Sequence, residues 1–338
     1  MYFLNNNSNK MFFIFILFLS TLISISSNSW FGCWIGLEIN LLSFIPLISS
    51  PINLLASEAS LKYFLTQSIA SINFLFIILL KMMMLKNFYL NNIFSIMINS
   101  SLLMKMGSAP FHFWFPIITE GLTWFNNFIL MTWQKISPMI LLSYYFNKYF
   151  LYLMIIFNII IGSIGGLNQT SLRKLMAFSS INNLGWMIFA IMISENLWIF
   201  YFSLYSFLIS ILCFFFYNLN MFFIDQLFIN NITPLIKINL LINLLSLGGL
   251  PPFLGFFPKW IMINFLMLNN FILMTFLFIM FSLVILFFYI RLTYSCFMFN
   301  YIKMKWLKIN LKNKFLWILN FFSLMSISSM IISTFLFF

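Results

Sequence analysis

Apolar residues run through this chain almost without interruption, in stretches of about twenty positions, the length needed to cross a bilayer as a helix. Hydrophobic residues occupy 63% of the 338 positions, the mean hydropathy is +1.04, and only 7% of the residues are charged. Soluble domains contain about 45–50% apolar residues, so a water-soluble core could not hide this surface. The sequence therefore predicts a polytopic membrane protein. Strands of outer-membrane barrels alternate polar and apolar residues, so the continuous runs predict helices.

The runs predict about eleven transmembrane helices in one all-α bundle without a soluble domain. They lie near 11–27, 30–48, 58–80, 93–118, 124–146, 149–167, 173–193, 197–223, 238–268, 271–296 and 316–337. The fourth and ninth contain the helix breakers "GSAP" and "GGLPPFLGFFP". The ninth span comes five spans after the fourth, and because this offset is odd, the second copy is expected to be inverted in the membrane. The pattern predicts two inverted five-helix repeats, about 11–146 and 149–296, each with a Pro-broken helix, and a C-terminal helix at about 316–337. Two ordinary proline kinks are the simpler alternative.

The net charge of +12 reflects membrane topology, because most of the basic residues fall in loops or at the ends of predicted spans. Nucleic-acid binding is therefore rejected. Most basic loop residues share the side of the N-terminus: Lys10, Arg173, Lys174, Lys237, Lys303, Lys305, Lys308, Lys312 and Lys314. The positive-inside rule then places the N-terminus in the matrix or cytoplasm and the C-terminus on the opposite side. The stretch "KMKWLKINLK" (303–312) either lies along the lipid surface or forms a solvated loop, and phospholipids, including cardiolipin, are expected partners.

The amino-acid usage indicates an extremely AT-rich gene. Phenylalanine occurs 49 times and methionine 23 times, whereas Val284 is the single valine. This combination suggests an organelle genome, although an AT-rich bacterium would give a similar bias.

Four ionisable residues stand near the middle of apolar spans. Glu38 and Lys135 are mid-span, and Lys105 and Lys259 adjoin the two predicted breaks. A charged residue at the bilayer centre costs about 2.5–3.5 kcal/mol on insertion scales, so such residues are functional candidates. All four are expected at similar depth, as a polar row across the membrane plane. A single lysine–glutamate pair could instead merely hold two helices together.

Prolines are expected to give each lysine a polar niche, since a helical proline leaves the carbonyl four residues earlier without its donor. The expected pairs of proline and freed carbonyl are Pro110 with Met106, Pro138 with Gln134, and Pro258 with Leu254. A chain of such lysines, with water between them, can act as a proton relay. His112, the only histidine, is a candidate next station after Lys105, although a lone histidine is more often structural.

No metal or redox centre is predicted in this chain. Cys33, Cys213 and Cys296 have no metal-ligand spacing, and no multi-histidine set exists. Electron transfer is therefore expected in partner subunits.

Long motifs around these residues resemble the proton-translocating, antiporter-like membrane family of respiratory complex I. The motifs are "GLEINLLSFIP" (36–46), "EASLKYFLTQ" (58–67), "KMGSAPFHFWFP" (105–116), "LMTWQKISP" (130–138), "GGLNQTSLRKLMAFSSI" (165–181) and "SLGGLPPFLGFFPKW" (246–260). The resemblance runs essentially end to end. It implies that a Glu38–Lys105 pair couples to a central lysine, Lys135, and to an exit-side lysine, Lys259. It also implies the mitochondrial inner membrane, with the N-terminus in the matrix and the C-terminus in the intermembrane space.

One position departs from the family's pattern. Related subunits often carry a histidine in the "SSIxHLGW" stretch, whereas this chain reads "SSINNLGW" and has Asn183 there. Asparagine can hold water but cannot titrate near pH 7, so the relay beyond Lys135 is expected to depend more on water.

The resemblance predicts a proton-translocating subunit of NADH:ubiquinone oxidoreductase that works with other membrane and peripheral subunits. NADH, FMN, iron–sulfur clusters and ubiquinone would then be bound by those partners and not by this chain. A standalone cation/proton antiporter and a purely structural membrane subunit are the alternatives.

Overall fold

The structure is a computed structural model, and it is almost entirely helical, as the apolar runs predict. It describes residues 8–50, 53–83, 91–229, 231–232, 234–298, 308–309, 317, 320–321 and 323–327. The chain divides into two compact units, Met1–Phe157 and Asn158–Phe338.

The first unit consists of helices of very different length. They are α1 (Ser8–Ser26), α2 (Trp30–Ile48), α3 (Leu54–Met83), α4 (Asn91–Met106), α5 (Trp114–Gly121), α6 (Trp124–Met131) and α7 (Trp133–Tyr144), and the boundary between the units falls inside α8 (Lys148–Gly165). Here α3 packs against α2, α4 and α5, and α4 also contacts α7. The helices α2, α3, α4 and α7 line a common polar cavity.

The second unit is built around a deeply buried helix. It contains α9 (Leu172–Ile193), α10 (Glu195–Asn218), α11 (Ile224–Ile229), α12 (Pro234–Gly248), α13 (Phe256–Leu268) and α14 (Ile272–Met298), with the two-residue strands β1 (Asn231–Ile232) and β2 (Lys308–Ile309) paired in parallel. Almost every side chain from Leu175 to Ile191 on α9 is buried, so the polar residues of α9 lie inside the unit.

Seven of the described helices are long and apolar enough to cross a membrane, and α12 and α13 are shorter apolar helices. The predicted span at 30–48 coincides with α2. The predicted count of eleven stays a prediction, because the interrupted spans form shorter helices and most of segment 316–337 lies outside the described residues.

Small residues let the helices approach closely, which is how helices associate where lipid removes the hydrophobic driving force. A methyl group added at Gly36 of α2 would lie 2.7 Å from the backbone of Ser24 on α1. One added at Gly162 of α8 would lie 2.5 Å from the backbone nitrogen of Asn182 on α9. Gly162, the first residue of the stretch "GSIGG" (162–166), therefore lies where α8 and α9 approach closely.

The first predicted break lies between α4 and α5, and a glycine starts it. Gly107 has φ +70°, a conformation that glycine adopts without strain, and it ends α4 at Met106. The amides of Gly107 and Ser108 donate to the carbonyls of Met104 and Leu103, which closes the helix end. The expectation that Pro110 frees the Met106 carbonyl is wrong, because Pro110 lies in the turn beyond the helix.

The second predicted break lies between α12 and α13 and begins in the same way. Gly249 has φ +88° directly after the last residue of α12. Pro258 occupies the first turn of α13, where a proline removes no helical hydrogen bond. The predicted freeing of the Leu254 carbonyl is wrong, since that carbonyl accepts from the amide of Phe257 at 3.2 Å.

A third interruption divides the predicted span 124–146 into α6 and α7. The backbone of Thr132 turns to φ −116° and ψ −72°, and α7 restarts at Trp133. Pro138 does lie inside α7, so the Gln134 carbonyl lacks a helical amide donor as predicted. Lys135 therefore stands in the first turn of a restarted helix and not in the middle of a long one.

Candidate functional site

Lys105 is buried at the end of a helix. It lies in the last turn of α4, and only 7% of its surface is exposed. Its carbonyl accepts a hydrogen bond from Nε2 of Gln67 on α3, at 3.2 Å. The last carbonyls of a helix carry partial negative charge, so this position favours a cation. Gln67 therefore fixes the helix end that holds Lys105.

A small polar cavity of about 10 Å³ lies beside Lys105. Four helices of the first unit line it, through Leu37, Asn40, Leu41, Tyr63, Gln67, Lys105, Gln134, Ser137 and Pro138. A cavity of about this accessible volume holds roughly one water molecule when its walls are polar. Gln134 donates to Oδ1 of Asn40 at 3.0 Å, and the buried hydroxyl of Ser137 has no partner in the part of the chain that the structure describes. The cavity can thus join Lys105 to the helix of Lys135 through one water.

Glu38 follows the cavity-lining residue Leu37 on α2 and is half-buried. Its carboxylate attracts the Lys105 ammonium electrostatically. These two described side chains form no direct ion pair. The structure therefore brings the predicted pair close enough for electrostatic coupling and leaves a gap between the charges.

Lys135 is the most deeply buried of the predicted lysines, with 1% of its surface exposed. Its Nζ lies 5.3 Å from the centre of the Phe115 ring on α5, within the range of a cation–π interaction. The neighbouring Gln134 and Ser137 line the cavity next to Lys105. In the first unit, Lys105 and the helix segment of Lys135 therefore border one polar cavity, and Glu38 is adjacent in sequence to Leu37, which lines it.

His112 belongs to the turn between α4 and α5. Its Nδ1 lies 3.2 Å from the Pro110 carbonyl, and its ring packs on Phe113 with 4.3 Å between centres. A carbonyl can only accept, so Nδ1 carries the proton in this contact. His112 is buried but is not among the residues that line the cavity. Its role as the station after Lys105 stays a prediction.

Lys259 occupies the corresponding niche of the second unit. It is 6% exposed, lies in the first turn of α13, and donates from Nζ to the Gly248 carbonyl at 2.9 Å. Gly248 is the last residue of α12, so the ammonium caps the negative end of that helix. Lys105 and Lys259 therefore both lie at the carbonyl end of a broken helix.

Asn183, where the family often has histidine, is buried on α9. Its Oδ1 accepts a hydrogen bond from the hydroxyl of Tyr201 on α10, at 3.1 Å. The adjacent Asn182 is 1% exposed, and both polar atoms of its side chain lack a partner in the described part of the chain. This region of the second unit is polar without containing a titratable imidazole.

The sequence-based search missed the neutral side chains of the site, chiefly Asn40, Gln67, Gln134 and Ser137. Their signal in the sequence is weak, although Asn40 lies two residues from Glu38 and Gln134 lies next to Lys135. Within the described ranges, no group of three or more histidine, cysteine, aspartate or glutamate side chains is arranged to hold a metal ion.

A family model described as NADH:quinone oxidoreductase/Mrp antiporter, TM, matches residues 27–286. Two solved structures share the fold. One is respiratory complex I from Thermus thermophilus with bound aureothin, with a TM-score of 0.78 and 21% identity over 87% of this chain and 71% of that chain. The other is the membrane-bound sulfane sulfur reductase, an archaeal respiratory membrane complex. Its TM-score is 0.81, with 17% identity over 95% of this chain and 72% of that chain. The fold and the match define the class as an antiporter-like transmembrane subunit.

Curated relatives narrow this class to one family. NADH-ubiquinone oxidoreductase chain 2 of Anopheles gambiae is 51% identical over 96% of both chains. The protein of the same name from Locusta migratoria is 44% identical over 96% of both, and that of Canis lupus is 41% identical over 85% of this chain and 86% of its own. The chain belongs to the NADH-ubiquinone oxidoreductase chain 2 family.

Proposed function

We propose that this chain is the subunit of NADH:ubiquinone oxidoreductase that relays protons through Glu38, Lys105, His112, Lys135 and Lys259. The observation that carries the proposal is the placement of three lysines, each at most 7% exposed and each at an interruption of a helix. Helix interruptions expose backbone carbonyls inside the protein, where they can hold an ammonium group or water. Each of the three lysines therefore lies where backbone carbonyls can hold its ammonium group or a water molecule, which suits a proton carrier.

The first step of the proposed relay uses the gap between Glu38 and Lys105. A conformational or electrostatic change in a neighbouring subunit alters the attraction of Glu38 for the Lys105 ammonium. When the attraction weakens, Lys105 releases its proton to the water site in the cavity, and the proton moves toward Lys135. Lys259 releases a proton on the exit side. Each lysine alternates between ammonium and neutral amine, so no proton is created or lost.

The redox chemistry of the proposed function lies in other subunits. NADH, FMN, iron–sulfur clusters and ubiquinone are bound there, and this chain binds none of them. Its partners are membrane and peripheral subunits of the same complex together with phospholipids, cardiolipin among them. It lies in the mitochondrial inner membrane with the N-terminus in the matrix and the C-terminus in the intermembrane space, an orientation supported by the loop charges.

The Lys105→Met variant tests the proposal in the complete enzyme reconstituted in vesicles. We expect the number of protons translocated per NADH oxidised to fall clearly, because methionine keeps the side-chain volume and removes the proton carrier. Lys62→Met is the matched control. Lys62 is an exposed lysine of the same unit that forms an i,i+4 ion pair with Glu58, at 3.5 Å, and an exposed pair of this kind contributes little stability.

The alternatives predict different results. A purely structural subunit predicts that Lys105→Met changes the amount of assembled complex and leaves the proton ratio normal, which would contradict the proposal. A standalone antiporter predicts that the purified chain alone exchanges Na⁺ or K⁺ for protons across vesicles without NADH, and that result would also contradict it.

A further inference from the structure

The end of the chain packs against the second break, the loop between α12 and α13. The described residues near the C-terminus, 317, 320–321 and 323–327, are helical and form what we call the C-terminal segment. Ser323 and Ser326 are buried in it, whereas Phe321 and Leu324 are more than half exposed. The residues of each pair are three positions apart, as expected for two faces of one helix. The C-terminal segment therefore turns its serine face toward the inside of the second unit.

Two hydrogen bonds join the C-terminal segment to the second break and to the helix before it. The amide of Leu254, inside the break, donates to the carbonyl of Ser326 at 3.1 Å. Nδ2 of Asn239 on α12 donates to Oδ1 of Asn320 at 2.6 Å. Asparagine side chains hold helices together in a membrane by bonds of this kind. The C-terminal segment is therefore fixed to α12 at one position and to the break at another.

The Leu254 amide takes its acceptor from outside the break. The amides of Phe253, Phe256 and Phe257 donate to carbonyls of the break itself, whereas that of Leu254 donates to Ser326. A buried backbone amide without an acceptor is costly, and inside a membrane no bulk water can supply one. The C-terminal segment thus completes the hydrogen bonding of the break.

The position of Lys259 depends on the same break. Its ammonium bonds across the break to the carbonyl of Gly248, at 2.9 Å, and so joins α13 to the end of α12. The length of that bond therefore depends on how the break is folded. The first unit has a comparable contact, since Gln67 of α3 bonds to the carbonyl of Lys105 at the end of α4. In each unit, another helix holds the break beside a buried lysine.

We propose that the C-terminal segment holds the second break so that Lys259 stays within hydrogen-bond distance of the Gly248 carbonyl, with Asn239 and Asn320 as positioning residues. The inference rests on the proposed function. The carbonyl end of α12 stabilises the ammonium form of Lys259 and keeps its nitrogen in one place. The ammonium gives one proton to a water molecule and becomes a neutral amine, and the next proton restores it. If the break moved, the nitrogen would leave this position and proton transfer would slow, because it requires a fixed geometry.

The Asn320→Leu variant tests the inference, because leucine has a similar volume and removes the acceptor of Asn239. We expect proton translocation by the complete enzyme in vesicles to slow at least about tenfold, since a displacement of about 1 Å can cost a reaction about 100-fold. Asn320→Gln keeps an amide oxygen and is expected to restore most of the rate. Ser323→Ala is the matched control on the buried face, because the Ser323 hydroxyl donates to the Asn320 carbonyl within its own segment, at 2.9 Å.

An experimental density map of the Asn320→Leu enzyme separates positioning from a loss of stability. We expect Nζ of Lys259 to lie beyond hydrogen-bond distance from the Gly248 carbonyl, in a complex that is still assembled. An unchanged contact would overturn the inference. A normal rate and a normal proton ratio in Asn320→Leu would also overturn it, as would a slow rate that Asn320→Gln does not restore.

Two further variants keep the inference testable and separate it from the proposed function. Should Asn320→Leu fail to accumulate, Asn239→Ser shortens the partner side chain with less change in packing and is expected to slow translocation likewise. A normal rate in Asn239→Ser would then contradict the inference. If Lys105→Met impairs translocation while the C-terminal variants do not, the inference fails and the proposed function stands.

Discussion

Replacing Lys135 by methionine is expected to leave the protein folded and to remove nearly all redox-driven proton translocation. Lys135 is 1% exposed, so its ammonium interacts with the protein rather than with bulk water. Methionine has a similar length and volume and carries no charge that has to be desolvated, so we expect the fold to be retained. Loss of a positioned proton carrier should slow translocation about 100-fold or more.

The measurement is the rate of proton uptake into vesicles per NADH oxidised, taken alongside the amount of assembled complex. Lys148→Met is the matched control, because Lys148 is exposed at the start of α8 and carries the same charge. Normal proton uptake in the Lys135→Met enzyme would show that the central lysine is not a carrier, and the relay through the first unit would have to be abandoned.

The larger features of the fold could be predicted from the sequence because the membrane imposes them. A continuous apolar run has to be a helix in lipid, so the bounds of α2 follow from its composition alone. Glycine and proline clusters marked two of the breaks, and both begin at a glycine with positive φ, Gly107 and Gly249. The prediction that Pro110 and Pro258 free a helical carbonyl is wrong, because each helix already ends before its proline.

The interruption at Thr132 could not be predicted, since no glycine or proline stands at that position. Threonine is compatible with a continuing helix, and here its hydroxyl bonds back to the carbonyl of Phe128 at 2.7 Å. Lys135 stays a predicted site residue, whereas its predicted place in the middle of a continuous helix is wrong, because it lies in the first turn of α7.

The charged members of the candidate site stand out in the sequence, whereas the neutral members do not. A lysine in an apolar span is costly enough to indicate function. An amide such as Gln67 or a hydroxyl such as Ser137 is cheaper and frequently bonds to a nearby backbone, so its sequence signal is weak. Their part in the site depends on which helices meet around the cavity, and that is a property of the tertiary fold.

Replacing Gly255 by alanine is expected to prevent stable assembly of the subunit. Gly255 lies in the second break, and a Cβ there would stand 1.7 Å from the carbonyl oxygen of Ser246 on α12. A backbone carbonyl cannot rotate away as a side chain can, so α13 would have to move relative to α12. The hydrogen bond between Lys259 and Gly248 spans the same two helices, so it would be lost in that movement.

The overpacking of this Cβ against the backbone should cost about 3 kcal/mol or more of folding free energy. The amount of assembled complex in membranes measures the effect, with Gly166→Ala as control, where the Cβ would lie 3.1 Å from the Phe288 ring and a side-chain shift of a few tenths of an ångström would relieve the contact. Wild-type assembly of Gly255→Ala would mean that the close approach of the break to α12 is not required for the niche of Lys259.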